Sequence, residues 1–350
     1  MRRRAADDDR PRRHGGDGRR RPRPGHRPVS SEAPARVSVH APDGVPEVRA
    51  GDDLAALLLP LLDLADGDIL VVTSKVVSKA EGRVVTGDRE EWIDAETERQ
   101  VAVRGATRIV RNRLGLTMAA AGVDASNVTA GAVVLLPVDP DASARRLREA
   151  VAERTGRNVG VIVTDTAGRP WREGQTDIAI GAAGVVVLES FAGRTDEHGN
   201  ELAVTAPAVA DQVAGAAELA QGKLAARPCA VLRGRADLVL GPGEHGPGAG
   251  ALIRPDGGDM FGFGAREAVV AAVAGRPEDR RPFGAPAAAG DLAAALARTG
   301  NPATIVAEDD VRCAAGSPAA VAIVAFAHGW MVDEPGPEGR GGLRIRPATP

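Results

Sequence analysis

The amino-acid sequence predicts a mixed α/β fold that is closer to α+β, and three observations support this prediction. Apolar residues make up 43% of the 350 positions, which is enough to build a substantial core. Segments with the two-residue period of strands alternate along the chain with segments of helical period. Too much of the strand pattern resembles antiparallel pairing for a doubly wound parallel sheet. The length also suggests about two domains.

The elements of the amino-terminal half can be predicted in chain order. The globular pattern begins near Val37, where "RVSVHAP" alternates like a strand. "GDDLAALLLPLLDLADG" has helical spacing, with Gly and Asp at its ends. "DILVVTSKVV" is typical of a buried strand that runs into a turn rich in serine and lysine. The segment 101–127 predicts several strands separated by tight turns and closing on a polar loop.

The later elements follow from the same patterns. "DPDASARRLREAVAERTG" predicts an amphipathic helix that Asp141 or Ser143 caps, with Leu147 and Val151 on one face. "NVGVIVTDTAGRPW" predicts a second buried strand that ends in a polar loop, with Trp171 as a packing anchor. "PAVADQVAGAAELAQGK" predicts a helix, "PCAVLRG" a strand, and "GPGEHGPGAG" a flexible loop.

The two ends of the chain differ from its middle. Residues 1–36 hold 12 arginines and five acidic residues mixed with Pro and Gly, so we expect a disordered tail. A solvated leader or a start codon placed too far upstream is the favoured interpretation. After about residue 275 we expect a linker and a small Ala-rich segment that reaches residue 350. Its role is unknown, and it should contain one helix ("DLAAALART") and one strand ("AAVAIVAFA").

The composition argues against several classes of protein. No run of about 18 uncharged apolar residues is present, so we expect no membrane partner, and no apolar stretch follows the first arginines as in a secretory signal. Cys229 and Cys313 are far apart, which predicts neither a disulfide framework nor a Cys-based zinc site and favours a cytoplasmic protein. Eight aromatic residues in all are few for stacking on single-stranded nucleic acid, and we expect no nucleic-acid partner.

Lysine is rare and unevenly placed in this sequence. The 44 basic residues include only Lys75, Lys79 and Lys223 as lysines, and two of these follow a predicted strand in "GDILVVTSKVVSKAEGRVV". If a helix starts there, Ser74 is its natural cap and both lysines lie on one face. Hydroxyls, free backbone N–H groups and lysines at such a position favour a polyphosphate site. A solvated helix end is the alternative.

Hard oxygen ligands occur in two further segments. Asp124 and Asn127 lie in "AAAGVDASNV", and Asp165 and Thr166 follow the hydrophobic run of "VIVTDTAGRPWREGQTDIAIG". Carboxylate, hydroxyl and amide oxygens suit Mg²⁺ or Mn²⁺, which bridge substrate phosphates. The alternative is that both aspartates only form turns. Arg169, Arg172 and Asp177 could likewise clamp an anion or form surface pairs.

These segments, together with the "AVTAPAVADQVAGAAELAQGK" helix and "ALIRP", occur in the order seen in coenzyme F-420:L-glutamate ligases, and residues 37–274 resemble that ligase domain. The resemblance implies a two-part α+β ligase fold in an intertwined homodimer. It implies GTP-dependent ligation of L-glutamate to coenzyme F-420-0, and to F-420-1, through an acyl phosphate with release of GDP and phosphate. It also implies two divalent cations, Mg²⁺ or Mn²⁺, with K⁺ as a helper.

The resemblance also assigns roles to residues. It implies catalytic roles for Asp124, Asp165 and Lys79, and metal ligation by Asp124, Asp165 and Thr166. The residues it implies for GTP binding are Val45, Pro46, Glu47, Val48, Ser74, Lys79, Asn127, Gly222 and Lys223.

The sequence departs from the family at two places, and two functions other than ligation stay open. The segment 256–264 lacks the acidic pair usual after "ALIRP", and the carboxyl-terminal segment is too short for the flavin-binding domain of bifunctional relatives, so we expect no flavin-dependent second activity. One other function is a GTP- or phosphate-binding regulatory module without ligase turnover. Another is a nucleic-acid-binding protein whose steeply salt-dependent binding requires residues 1–36.

Overall fold

A computed structural model describes residues 36–126, 128–202, 205–314, 316–333 and 342–348. The predicted tail, apart from Arg36, and Asn127 lie outside these described residues. The strands are β1 (Ser38–His40), β2 (Ile69–Thr73), β3 (Val84–Thr86), β4 (Thr97–Arg104), β5 (Thr107–Asn112), β6 (Thr117–Ala119), β7 (Ala132–Val134), β8 (Gly160–Arg169), β9 (Arg172–Ala183), β10 (Cys229–Arg233), β11 (Ala303–Ala307), β12 (Asp310–Cys313), β13 (Trp330–Val332) and β14 (Leu343–Pro347). The helices are α1 (Leu54–Leu58), α2 (Ser74–Ala80), α3 (Arg89–Glu96), α4 (Pro140–Thr155), α5 (Val209–Gln221), α6 (Ala265–Ala274), α7 (Ala289–Arg298) and α8 (Pro318–Ala327).

A five-stranded sheet of order β1-β10-β2-β8-β9 forms the centre of the protein. Only β2 and β8 pair in parallel, and the other three neighbours pair antiparallel. The predicted mixed α and β class is therefore confirmed. Because parallel strands point the same way, Thr73 at the end of β2 lies beside Thr164. This register places Ser74 next to Asp165, although 91 positions separate them in sequence.

Helices cover both faces of the central sheet, and the alternation of apolar residues in β2 explains why. Leu70 and Val72 pack in the same core cluster as residues of α1, α2 and α4. Ile69 and Val71 point to the opposite face and pack with residues of α5. A strand that is buried on both faces needs a continuous apolar run, and β2 has one.

The predicted amphipathic helix forms as α4, but its predicted cap is wrong. Asp139 is the N-cap and accepts a hydrogen bond from the backbone N–H of Ala142. Asp141 instead accepts hydrogen bonds from backbone N–H groups at the end of β9 and at the end of the Gly-rich loop. Ser143 donates its hydroxyl to Glu81. Both side chains are used in tertiary contacts, which local sequence cannot reveal.

A smaller β region lies beside the central sheet. The strands β4, β5 and β6 form an antiparallel three-stranded sheet, as the tight-turn pattern predicted, and β3 pairs with β7. Ile93, Val110, Val133 and Leu135 are buried together in this region. Asp124 forms an isolated bridge with Val134, so β7 holds the Asp124 loop in place.

The carboxyl-terminal residues form an antiparallel sheet of order β11-β12-β14-β13 covered by α7 and α8. The predicted helix in this segment is confirmed as α7, but "AAVAIVAFA" forms α8 and not a strand. Ser317 caps α8 and Pro318 lies in its first turn, which favours a helix over this uniformly apolar run. Trp330, Leu292, Leu296 and Ile345 are buried in the shared core.

The β8–β9 hairpin differs from prediction in two ways. β8 does not end at a polar loop after Asp165 but continues to Arg169, and it pairs with β9 from Val161 to Arg169. Trp171 lies at the hairpin tip and is 83% exposed, so it is not the expected packing anchor. No helix within the described part of the chain is long and apolar enough to cross a membrane.

Candidate active site

Ser74 and Asp165 join the two parallel strands at the centre of the candidate site. The Ser74 hydroxyl donates to Asp165 Oδ1 at 3.0 Å, and Ser74 is buried. The prediction that Ser74 caps the helix is wrong, because α2 begins at Ser74 itself and Thr73 occupies the N-cap position without a side-chain cap bond. The Ser74 hydroxyl is thus committed to the carboxylate of β8.

Asp165 is partly buried and lies near two other carboxylates. Burial raises the pKa of Asp165 to about 6, and the charges of Asp177 and Asp124 act in the same direction. The Ser74 hydroxyl and the backbone N–H of Thr166 lower this pKa but do not offset the other effects. The charges of Asp177 and Asp124 therefore lie close enough to Asp165 to disfavour its ionised form.

Thr166 points to the opposite face of β8 from Asp165, as adjacent residues of a strand do. Its hydroxyl donates to Asp177 Oδ1 at 2.8 Å and accepts a hydrogen bond from Lys223 Nζ at 2.9 Å. Thr164, two residues earlier, donates to Asp177 Oδ2 at 3.0 Å. Asp177 is buried and accepts hydrogen bonds from both threonines. It therefore neither forms an ion pair at the surface nor clamps an anion there.

Lys75 contacts the second predicted metal ligand. Its Nζ atom lies 2.6 Å from Asp124 Oδ2 and 2.7 Å from Ser126 Oγ. Partial burial acts to raise the pKa of Asp124, but the ammonium of Lys75 and the N–H and hydroxyl of Ser126 outweigh it and lower the pKa. Asp124 is therefore ionised at neutral pH. Lys75 was predicted to share a helix face with Lys79, but its pairing with Asp124 was not predicted.

Lys79 and the predicted nucleotide loop meet at a cavity. Lys79 Nζ lies 2.5 Å from Glu47 Oε1. A cavity of about 470 Å³ is lined by Glu47, Val48 and Lys79 together with Val128 and Thr129. Of the other residues in the predicted loop, Val45 is partly buried and Pro46 is exposed. The predicted GTP-binding role of Asn127 falls outside the described residues.

The end of α5 brings the third lysine to the site. Gly222 follows the helix with a φ of +62° and ψ of 150°, a combination that favours glycine. Lys223, the next residue, reaches Thr166 on β8. All three lysines of the chain thus contact a predicted site residue, at Asp124, Glu47 and Thr166 respectively.

The predicted metal ligands are oxygen donors only. Within the described ranges, no group of three or more His, Cys, Asp or Glu side chains is placed to hold a metal ion. A transition-metal site of the zinc type does not fit such a donor set. Mg²⁺, in contrast, commonly takes only one or two carboxylates from the protein and completes its shell with water and substrate phosphates. The two aspartates and Thr166 are compatible with that kind of site.

Comparison with known proteins places most of these residues within one family model. Residues 44–234 match the model for F420-0:Gamma-glutamyl ligase. The coenzyme F420:L-glutamate ligase of Archaeoglobus fulgidus is 40% identical over 207 residues, or 54% of this chain and 83% of the relative. That of Methanopyrus kandleri is 41% identical over 239 residues, or 61% of this chain and 93% of the relative. That of Methanothermobacter thermautotrophicus is 35% identical over 251 residues, or 64% of this chain and 98% of the relative.

Proposed function

This chain belongs to the F420-0:gamma-glutamyl ligase family, and on that premise we propose that it joins L-glutamate to coenzyme F420-0 in a GTP-dependent reaction. One observation carries the proposal beyond family membership. Side chains of α2 contact the 45–48 loop, the Asp124 loop and β8, and Lys223 after α5 also contacts β8; the three lysines make three of these four contacts. The lysines supply the positive charge that a nucleotide triphosphate requires.

We assign the main phosphate contact to Lys79, and Ser74 would contact the phosphates only when its hydroxyl leaves Asp165. Glu47 holds Lys79 at the wall of the 470 Å³ cavity, so the ammonium is positioned before the nucleotide arrives. A phosphate can replace Glu47 as the partner of Lys79 because both offer anionic oxygens. Lys223, held by Thr166 on the other side of β8, supplies a second positive charge.

Asp124, Asp165 and Thr166 would hold two divalent cations, Mg²⁺ or Mn²⁺, with K⁺ as an accessory ion. The raised pKa of Asp165 supports the fit. It reflects the cost of a buried negative charge, and a cation bound to the carboxylate would remove that cost. Bound divalent cations would neutralise charge on the nucleotide phosphates. The structure offers only oxygen ligands from these three side chains, which suits such hard cations.

The proposed chemistry has two steps. The lactyl carboxylate of the precursor attacks the terminal phosphorus of GTP, forming an acyl phosphate and releasing GDP. The glutamate amine then attacks the acyl carbon, an amide bond forms, and phosphate leaves. The side chains of this site bind and orient the reactants, which is the main protein contribution to phosphoryl transfer. We further propose that the chain works as the intertwined homodimer of the two-part ligase fold.

The test is a reconstitution with mass spectrometry. The full chain is incubated with GTP, Mn²⁺, K⁺, L-glutamate and F420-0, and the product should gain the mass of one glutamate while GDP appears. Omission of each component, and replacement of GTP by ATP, should abolish or reduce the gain. Nucleotide binding without any glutamate-dependent product would instead support the regulatory alternative. Light scattering of the same sample measures the oligomeric state.

A further inference from the structure

Trp171 combines two features that each cost free energy. Its side chain is 83% exposed, and its backbone has a φ of +58°, a left-handed conformation that bulky residues rarely adopt. Strained residues of this kind persist where the surrounding structure holds them, and they cluster at ligand sites. Trp330, in contrast, is buried and donates its indole N–H to the carbonyl of Ala287. Trp92 is partly buried, so of the three tryptophans it is the one at the hairpin tip that is exposed.

Trp171 is part of an aromatic pair. The ring of Phe261 lies edge-on to it, with ring centroids 4.5 Å apart and an interplanar angle of 85°. Phe261 is 42% exposed and the preceding Met260 is 85% exposed. A perpendicular pair occupies one face or edge of each ring and leaves other ring surface open. The hairpin tip thus offers an L-shaped apolar surface suited to one more planar ring.

We propose that Trp171 and Phe261 bind the planar deazaflavin ring of the precursor; this inference rests on the proposed function. Distance along the hairpin supports it. Six positions separate Asp165 from Trp171, so at 3.2–3.4 Å per strand residue the two lie at most about 20 Å apart. About ten single bonds join the ring to the reacting carboxylate, or about 12 Å when extended, and the ring itself adds several ångströms. A precursor whose carboxylate lies at Asp165 can therefore reach the tip.

Positive charge next to the hairpin tip suits the same molecule. Arg169 and Arg172 are exposed and flank the turn that carries Trp171. Arg169 is four residues from Asp165 on the same strand, and it donates to the carbonyl of Glu173 at 3.1 Å. The precursor carries its phosphodiester between the ring and the carboxylate. Guanidinium groups bind phosphate oxygens well, so the two at this turn add positive charge that suits an anionic precursor.

A ring-only probe separates this proposal from ligase turnover. The probe is the deazaflavin ring with its sugar-alcohol side chain but without phospholactate. Its fluorescence anisotropy is measured as the full-length protein is added, without GTP or metal. We expect Trp171→Ala to weaken binding about tenfold or more, because stacking on an aromatic side chain is lost. Trp171→Phe should stay within about threefold of the wild type. Phe261→Ala should weaken binding in the same direction, and the matched control Trp92→Phe should leave it unchanged.

The complete precursor supplies the second measurement. Trp171→Ala should raise KM for the precursor about tenfold while KM for GTP and kcat change little. Equal ring affinity in the wild type and Trp171→Ala would overturn the proposal even if ligation occurs. A change of oligomeric state with unaltered ring affinity would overturn it in favour of a contact between two copies of the chain. Trp171-dependent ring binding without ligation would support the ring site and contradict the proposed function.

Discussion

The Lys75 ammonium lies 2.6 Å from Oδ2 of Asp124 and binds the Ser126 hydroxyl at 2.7 Å. Asp124 is also a proposed ligand of a divalent cation. Such a cation would bind within roughly 2.0–2.6 Å of a carboxylate oxygen, so it and the ammonium would be close neighbours and repel each other. Metal binding at Asp124 therefore competes with Lys75.

The first prediction removes that competitor. We expect Lys75→Met to raise the affinity for Mn²⁺, measured without nucleotide from the electron paramagnetic resonance of free Mn²⁺, by about 3–10-fold, or roughly 1 kcal/mol. Lys75→Arg keeps the charge and should keep the wild-type affinity. Weaker Mn²⁺ binding by Lys75→Met would mean that the lysine positions Asp124 for the metal and does not oppose it.

The second prediction concerns Lys79 at the cavity. Lys79→Ala should weaken binding of a non-hydrolysable GTP analogue about 10–100-fold, because a charge-assisted hydrogen bond is lost. Lys79→Arg should restore this affinity only in part, since a planar guanidinium does not replace a compact ammonium. Calorimetry measures the affinities, with Glu47→Gln as the control that frees Lys79 from its partner. Wild-type affinity in the arginine variant would contradict the requirement for a point charge.

The third prediction follows from the raised pKa of Asp165. Burial comes first among its causes, followed among the raising effects by the charges of Asp177 and Asp124, and the value is about 6. Between the ordinary pKa near 4 and this value, the folded state binds more protons than the unfolded state. The contribution of Asp165 to the free energy of unfolding therefore falls as pH rises through that window. Above about pH 6 the folded protein keeps the full cost of the buried charge.

Asp165→Asn should remove this cost in metal-free protein. We expect it to raise the free energy of unfolding by about 1–3 kcal/mol at pH 7.5, with a gain that shrinks as pH falls from 6 towards 4. Urea unfolding in the presence of a chelator measures it, and Asp309→Asn on an exposed turn is the matched control. An equal gain at every pH would assign the effect to packing.

The fourth prediction concerns a buried arginine that fixes a glycine-rich loop. Arg148 donates to the carbonyls of Val159, Glu244 and Gly241, and to Asn158 Oδ1, all at 2.8–2.9 Å. Arg148→Met should lower the free energy of unfolding by about 3–5 kcal/mol and expose residues 241–250 to proteases, because buried carbonyls lose their donor. Arg145→Met, an exposed position on the same helix, should do neither. A protease-resistant loop in Arg148→Met would refute this role.

Regular elements were predictable wherever apolar periodicity and end signals agreed. The buried strand β2 and the helices α4 and α5 were predicted on that basis, and the structure confirms them. α8 was missed because a short, uniformly apolar run has no period that separates strand from helix. The Ser317–Pro318 pair was the available signal, since serine caps helices and proline suits their first turn.

The contacts of the candidate site were less predictable than its residue types. The sequence indicated oxygen ligands and lysines, but the partners depend on strand pairing between distant segments. Ser74 meets Asp165 only because β2 and β8 pair in parallel with Thr73 opposite Thr164. The same limit applies to Lys75 and Asp124. Lys75 lies in α2, directly after β2, whereas Asp124 lies between β6 and β7. Exposure of Trp171 likewise depends on how far β8 continues beyond Asp165.

The last prediction tests whether Asp124 and Asp165 act as one unit. They belong to different loops and strands, and the charge of Asp124 nevertheless contributes to the raised pKa of Asp165. If both bind the same cation, removing either carboxylate charge should disable the site. We expect Asp124→Asn and Asp165→Asn each to reduce glutamate ligation at least about 100-fold, while affinity for the GTP analogue in chelator changes much less.

The double variant distinguishes a shared cation from two independent roles. Residues that act as a unit are strongly non-additive, so Asp124→Asn combined with Asp165→Asn should ligate little more slowly than either single variant. Independent roles would instead multiply the two losses, because the effects of uncoupled sites add as free energies. Single-turnover assays with mass spectrometry measure the rates, and Mn²⁺ titration should show one lost site in all three variants. Multiplied losses, or an intact Mn²⁺ site in either single variant, would rule out shared ligation.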